Sequence, residues 1–381
     1  MKNILIVVPG CKTGGVTSSL IALLNSPFVN RYKVDLFIMN TFGEKLNPVF
    51  ASYSIGKNLW TSLLYANVIY SKGLRKIILI FFKLLLRIPF IGKKIISQIE
   101  NVTIRNLEKK NYDCVISFQE NTSLPFVAKF SNHNKVAWIH CDYSRIFTNK
   151  DNEMAIFSQY SKIITVSEYT KQTFCQLMPL LSHKVYTIYN IMDITAIIKK
   201  AKEPINNINF NNKTFTIISV GRISAIKQFE VIPSIAHSLK ARGLKFKWYI
   251  LGGVHEQIPY QNLQKSIIDY KVTDYVFCLG NQSNPYPYFK HANLLVSTSK
   301  SEACPMIFNE AKILNLPIVT NDFGSAYEFI NDGQDGRICP INQMADIIEN
   351  IITNNSKFNP IISDKFNSQT IQNQIDFVLM N

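Results

Sequence analysis

Six short apolar runs in each half of the chain, spaced by helix-length stretches, constrain this sequence more than any other feature. The first set falls at 3–8, 33–39, 113–118, 135–140, 162–167 and 184–189. The second falls at 214–220, 246–251, 275–279, 293–298, 317–320 and 336–339. Strands alternating with helical patterns build a parallel, doubly wound α/β sheet. Amphipathic helices are expected near 226–242, 260–270, 302–314 and 342–354. A chain of 381 residues is too long for one ordinary core, so two domains are expected. We place them at 1–190 and 191–365, with the polar, Asn-rich stretch 196–213 as the connection. Residues 366–381 read as a last helix, with the first domain as one place for it to dock.

Composition excludes several classes. A hydrophobic fraction of 47% is too high for wholesale disorder. Seven cysteines (11, 114, 141, 175, 278, 304, 339) form no CxxC pair, so neither a zinc site nor a disulfide framework is implied. Reduced thiols in a cytoplasmic protein are the simplest reading. The apolar run after Met1 is only five residues long and leads to Gly10, Gly14 and Gly15, which fits a first strand better than a signal peptide. No stretch reaches the roughly eighteen apolar residues needed to span a bilayer. The net charge of +15 is unevenly placed. Residues 1–190 carry 23 Lys/Arg against 10 Asp/Glu, and residues 191–381 carry 18 against 16. A basic half can meet nucleic acid, an anionic membrane or an acidic substrate.

The chemistry-bearing residues cluster after the strands. Glu302 and Glu310 stand eight positions apart around Pro305. Proline is best tolerated at a helix start, so Glu302 belongs to the preceding loop and Glu310 to the helix beyond. A helix N-terminus offers free N–H groups to hydroxyl and phosphate oxygens. That pairing suits a nucleotide sugar. Two glutamates at this spacing are more often surface charges, but the strand–loop–helix–strand setting puts these at the ligand-binding edge of a sheet. After 214–220 comes Gly221-Arg222-Ile223-Ser224-Ala225-Ile226-Lys227, where a guanidinium fork and a mobile ammonium suit a diphosphate. In the first half, Gly14 and Gly15 allow close backbone approach to a ligand without completing a GxGxxG or Walker pattern. They fit a plain tight turn equally well. His140 ends an apolar strand, and Ser167-Glu168 is a weaker case of the same placement. No Asp-x-Asp pair or His/carboxylate cluster calls for a divalent metal.

These residues resemble the family 4 retaining glycosyltransferases, most strongly from Ser219 to Arg337. Val220-Gly221-Arg222 with Lys227 is similar to the family's diphosphate segment, and Ser301 through Glu310 to its Glu-x7-Glu signature. Pro317, Gly324, Glu328, Gly333 and Gly336 follow the pattern beyond it. Asn284-Pro285-Tyr286-Pro287-Tyr288 resembles members that build bacterial surface polysaccharides. The resemblance implies the GT-B fold, two Rossmann-like domains facing across a cleft, with the acceptor on the first domain and a nucleotide sugar, UDP-linked, on the second. It implies that Arg222 and Lys227 hold the diphosphate, Glu310 the ribose, and Glu302 with the 304–306 backbone (Cys304, Pro305, Met306) the hexose. Gly14 and Gly15 would lie near the phosphates, and His140 near the transferred sugar. It also implies transfer without a metal or other cofactor, to a lipid-linked or growing polysaccharide acceptor. Ala303-Cys304, Gln228 and Ile191-Met192 depart from the family's usual residues, where Gly-Phe, Gly and Gly-Val are common.

Residues 72–99 carry Lys72, Arg75, Lys76, Lys83, Arg87, Lys93 and Lys94 among Leu, Ile and Phe. On a helical wheel Lys76, Lys83, Arg87 and Lys94 share one face, edged by Leu79, Phe82, Leu86 and Phe90, with Pro89 expected to break the helix. A basic stripe so edged reads as a helix lying on an anionic membrane surface, with the protein peripheral to the inner face of the cell membrane. A core helix with a solvated charged edge is the plainer alternative. Three rival functions stay open: a nucleic-acid binder, a silent membrane-docking or scaffold relative, and a sugar-nucleotide epimerase. No RRM, KH or helix-turn-helix pattern supports the first, and intact Arg222, Lys227, Glu302 and Glu310 argue against the second.

Overall fold

The computed structural model describes residues 1–380 except 11–13, 41–46, 56–57, 67, 69–70, 72, 206–207, 209, 211–213 and 355–357, and the side chain of Arg75. Cys11, Lys12, Thr13 and Lys72 therefore lie outside the described residues. The twelve apolar runs are twelve strands. The first six are β1 (Lys2–Val8), β2 (Tyr32–Ile38), β3 (Cys114–Ser117), β4 (Lys135–Ile139), β5 (Lys162–Thr165) and β6 (Val185–Thr187). They form one parallel sheet in the order β2-β1-β3-β4-β5-β6. The second six are β7 (Phe215–Val220), β8 (Phe246–Leu251), β9 (Val276–Gly280), β10 (Leu294–Ser297), β11 (Ile318–Asn321) and β12 (Gly336–Cys339). Their order is β12-β11-β10-β7-β8-β9, again all parallel. Strands such as β1, where Ile4 through Val8 are almost wholly buried, are apolar throughout because helices cover both faces.

The chain divides into two compact units, Met1–Ile191 with Ser368–Asn381, and Met192–Asn367. The division precedes the Asn-rich stretch, whose start is helical: Ile194–Lys200 is a helix capped by Asp193, which accepts from the Ala196 N–H at 2.9 Å. The sheet orders place a switch point in each unit. In the first, the chain direction across the sheet reverses between β1 and β3; in the second, between β7 and β10. The loops beyond those strand ends are where a parallel α/β sheet receives its ligands.

The C-terminal helix Ser368–Met380 belongs to the first unit, burying Ile371, Ile375, Val378 and Leu379. Its last carbonyls accept from lysines of that unit: Lys2 Nζ donates to Leu379 O at 3.1 Å and Lys162 Nζ to Val378 O at 2.5 Å. Cations suit that end, where the helix dipole is negative. Arg31 pairs with Asp376, which also accepts from the Tyr32 hydroxyl at 2.9 Å.

The segment carrying the basic residues folds as a helical hairpin. We label its parts α1 (Leu59–Tyr65), α2 (Gly73–Leu86) and α3 (Ile91–Glu108). Pro89 stands in the break between α2 and α3. Gly92 lets the two helices meet, since a methyl group there would run into the Leu86 carbonyl oxygen. Of the four cations expected on the membrane-facing stripe, Lys76, Arg87 and Lys94 are exposed and Lys83 alone turns inward. Leu79 is fully buried with Leu63 and Ala66, and Lys83 Nζ donates to the Leu64 carbonyl at 2.6 Å, where burial lowers its pKa. An orphan carbonyl at the end of α1 attracts this ammonium inward. Lys83 is thus a structural cation, and the face opposite it is the one left outside.

Candidate active site

The second unit gathers four of the expected residues around its switch point. The loop after β7 carries Arg222 and Lys227, and the loop after the adjacent β10 carries Glu302. Gly252, which the sequence reading passed over, sets the first loop in place. With φ at +159° it brings the β8 end against the β7 end so closely that any side chain would strike the Gly221 carbonyl oxygen. Gly221 N–H donates to Leu251 O at 2.9 Å and Ile223 N–H to Gly253 O at 2.9 Å, so backbone bonds hold this approach.

The two loops are then tied to each other. Lys227 and Glu302 form an ion pair. Glu302 Oε1 also accepts from Ser299 Oγ at 2.7 Å, and its carbonyl accepts from Ser325 Oγ at 2.7 Å. Thr298 Oγ1 donates to Lys227 O at 2.7 Å, and Lys300 N–H donates to Ile226 O at 2.8 Å. Lys227 and Glu302 are both half-buried, so each is held in one orientation. Arg222 is exposed, and its guanidinium has no hydrogen-bond or ion-pair partner among the described residues. One cation is therefore spoken for by a carboxylate, and the other is free to meet an anion.

Beyond the loop the helix α4 runs Met306–Ile313. Pro305 is its N-cap and has no side-chain acceptor, leaving the first-turn N–H groups without a side-chain cap. Cys304 and Met306 are half-buried beside it. Glu310 lies in the second turn and is 7% exposed. Burial pushes its carboxyl up to about 7, partly countered by the Tyr286 hydroxyl, which donates to Oε1 at 3.2 Å. Tyr286 opens the short helix Tyr286–His291, before β10. No local signal in the sequence joins it to Glu310.

Gln228, the departure from glycine, adopts a left-handed backbone with φ +50°. A side chain costs about 1–2 kcal/mol there, against roughly 0.5–1 kcal/mol for the extra freedom of glycine when unfolded. Gln228→Gly is therefore expected to stabilise by roughly 0.5–1 kcal/mol. A chemical melt that shows an unchanged or lower midpoint would refute strain at this position.

In the first unit, Gly14 is the N-cap of the helix Gly15–Leu24, beyond β1. Ser167 caps the helix Glu168–Leu177 through a reciprocal bond pair with Thr170, which gives Ser167 a structural role. His140 directly follows β4. Its ring packs on Phe118, with centroids 4.7 Å apart, and its Nε2 is enclosed with no partner among the described residues. Burial drives its pKa down to about 3, so the imidazole is neutral. The His140 backbone N–H donates to Glu120 Oε2 at 2.9 Å, and Glu120 is itself a buried carboxyl with a raised pKa that no sequence motif marks. The six described cysteines are all free thiols.

The sequence and the fold each resemble those of known proteins. Residues 200–365 match the family described as glycosyl transferases group 1. An uncharacterized glycosyltransferase of Methanocaldococcus jannaschii is 29% identical over 145 residues, covering 37% of this chain and 35% of the relative. The poly(ribitol-phosphate) alpha-N-acetylglucosaminyltransferase of Staphylococcus aureus is 27% identical over 199 residues, 50% of this chain and 37% of the relative. The chain thus spans little more than a third of the length of these two curated relatives. Among solved structures, Anabaena HepE in complex with UDP and glucose superposes with a TM-score of 0.73 at 18% identity, covering 100% of both chains. The chain has the GT-B fold, and it carries a glycosyl transferases group 1 domain in its second unit.

Proposed function

We propose that this protein is a retaining glycosyltransferase of the family 4 type. It moves a hexose or N-acetylhexosamine from a nucleotide sugar, UDP-linked, to a lipid-linked or growing surface-polysaccharide acceptor. The observation that carries this reading is the Lys227–Glu302 pair at the β7/β10 switch point, with an Arg222 guanidinium that has no partner among the described residues and Glu310 in the helix beyond. The names of the similar proteins support it, since HepE was crystallised with UDP and glucose and the S. aureus relative is an N-acetylglucosaminyltransferase.

In this scheme the acceptor oxygen attacks the anomeric carbon from the face the diphosphate leaves. The bond from that carbon to the β-phosphate oxygen breaks, and the acceptor proton passes to the departing phosphate. Charge builds on the phosphate oxygens, so fixed cations there stabilise the transition state more than the ground state. Arg222 and Lys227 fill that role without a metal or other cofactor. Glu310 receives the ribose hydroxyls, and Glu302 with the Cys304, Pro305 and Met306 backbone receives the hexose. Gly14 and Gly15 give the phosphates close access to backbone in the first unit, which takes the acceptor. His140 lies near the transferred sugar, and its neutral Nε2, enclosed and without a partner among the described residues, is uncovered to meet a sugar hydroxyl. The protein works on the inner face of the cell membrane, at the cytoplasmic side.

A thermal-shift panel of UDP, GDP and ADP sugars tests the donor assignment. A ligand present at about 100 times its Kd stabilises the folded state by about 2.7 kcal/mol, so one nucleotide class should raise the melting temperature clearly. If none does, the site is not a nucleotide-sugar site. If GDP or ADP sugars act in place of UDP sugars, the base is reassigned.

A further inference from the structure

The exposed face of α2 carries Leu74, Ile77, Ile78, Phe81, Leu84 and Leu85, continued by Ile88 past its end. Their spacing is the i, i+3, i+4, i+7 stripe that a globular protein turns toward its core. Here the core takes the opposite face, through Leu79 and Lys83, and the stripe stands in solvent, with Leu74 at 72% and Phe81 at 69% exposure. At 1.5 Å per residue it is about 20 Å long. The connection to α3 extends it. Phe90 is 80% exposed at the tip, and Ile91 N–H bonds back to Pro89 O at 2.8 Å around a Phe90 backbone at φ +68° and ψ −54°. That is a γ-turn of the strained hand, uncommon for a bulky residue, and it holds the ring outward. Trp60, also exposed, packs on Phe82 beside it, ring centroids 6.2 Å apart.

Charge decides what covers this face. Residues 73–99 hold six Lys/Arg and no Asp or Glu. Arg87, Lys93 and Lys94 are exposed around the hairpin tip, and Lys76 is exposed near the start of α2. A second copy would bring two sets of like charges together. An anionic bilayer supplies both an apolar layer and negative headgroups. No described helix is long and apolar enough to cross a membrane, so the segment would lie in the interface plane.

We propose that α2 and the α2–α3 turn form a membrane-insertion surface, in which the Leu74–Ile88 stripe and Phe90 enter the acyl region of an anionic bilayer. This deepens the membrane placement proposed above, and it exchanges a basic stripe for an apolar one as the principal contact. The basic residues attract the surface; the apolar ones provide the hold.

Sedimentation with vesicles of phosphatidylcholine and phosphatidylglycerol tests it on the full chain. The parent should bind, and raising the salt should weaken binding only in part. Combining Phe81→Ser, Leu84→Ser and Leu85→Ser should lower affinity at least about tenfold. Combining Lys76→Glu with Arg87→Glu should have its main effect at low salt. A Phe81→Trp variant should show a blue-shifted emission on vesicles. All these side chains are exposed, so the variants should melt with the parent. No vesicle binding by the parent, equal binding by the triple serine variant, or a parent dimer that the triple variant dissolves would each overturn the proposal. Release of UDP from a UDP-sugar, measured without vesicles, judges the transferase reading separately and should be unchanged in the triple variant.

Discussion

Lys227→Ala is expected to lower sugar transfer by about 10²–10³-fold, the usual cost of removing one fixed charge from a site where charge develops in the transition state. The cost falls mainly on turnover, because the ammonium helps most when the diphosphate departs. The same change leaves Glu302 with Ser299 as its remaining side-chain donor, in a half-buried position. Stability should therefore fall too, by about 1–2 kcal/mol, between the values for exposed and buried pairs. These two effects can be separated. Adding Glu302→Gln to Lys227→Ala removes the unpaired charge and should restore most of the melting temperature. It should not restore activity. Full turnover by purified, folded Lys227→Ala would remove this lysine from the diphosphate site. Recovery of activity in the double variant would mean that the single change acted only by disturbing the loops.

The strands were legible because burial on both faces demands uninterrupted apolar residues, and each observed strand departs from its sequence range by no more than two residues at either end. What could not be read was adjacency. Lys227 and Glu302 are 75 positions apart, and they meet because β10 crosses back to lie beside β7, an order that no local pattern specifies. The Tyr286–Glu310 bond joins the helices before and after β10, 24 positions apart, and no local pattern specifies it either. The hairpin shows a different blind spot. Periodicity located the basic stripe of α2 and its edge at Leu79, Phe82 and Leu86, but it could not say that Leu79 would be buried while Leu74, Ile77 and Phe81 stayed outside. The answer came from α1, whose Leu63 and Ala66 accept Leu79 and whose Leu64 carbonyl accepts Lys83. Gly252 was passed over for a related reason: nothing in a lone Gly-Gly pair after a strand says that another backbone will press against it.

Glu310→Gln is expected to make the protein more stable and far less able to bind its donor. The folded-state carboxyl titrates near 7 because burial disfavours its charge, whereas the unfolded chain titrates near 4.5. Between those values the folded state holds a proton that the unfolded state has released. Stability must then fall as pH rises from about 4.5 to about 7, and above that range the carboxylate costs up to about 3 kcal/mol. Glutamine keeps an oxygen for the Tyr286 hydroxyl and cannot ionise. Its advantage in melting temperature over the parent should be absent near pH 4 and full near pH 8. Donor binding should respond in the opposite sense. Ribose hydroxyls that donate to Glu310 favour its carboxylate, so the parent should bind the nucleotide more weakly as pH drops below about 7, by as much as tenfold per unit. The glutamine variant should bind weakly at every pH and lose that slope. Melting curves of the two proteins that stay parallel across this range would show that Glu310 is not held protonated by burial. A pH slope in binding that survives the substitution would place the titrating group elsewhere.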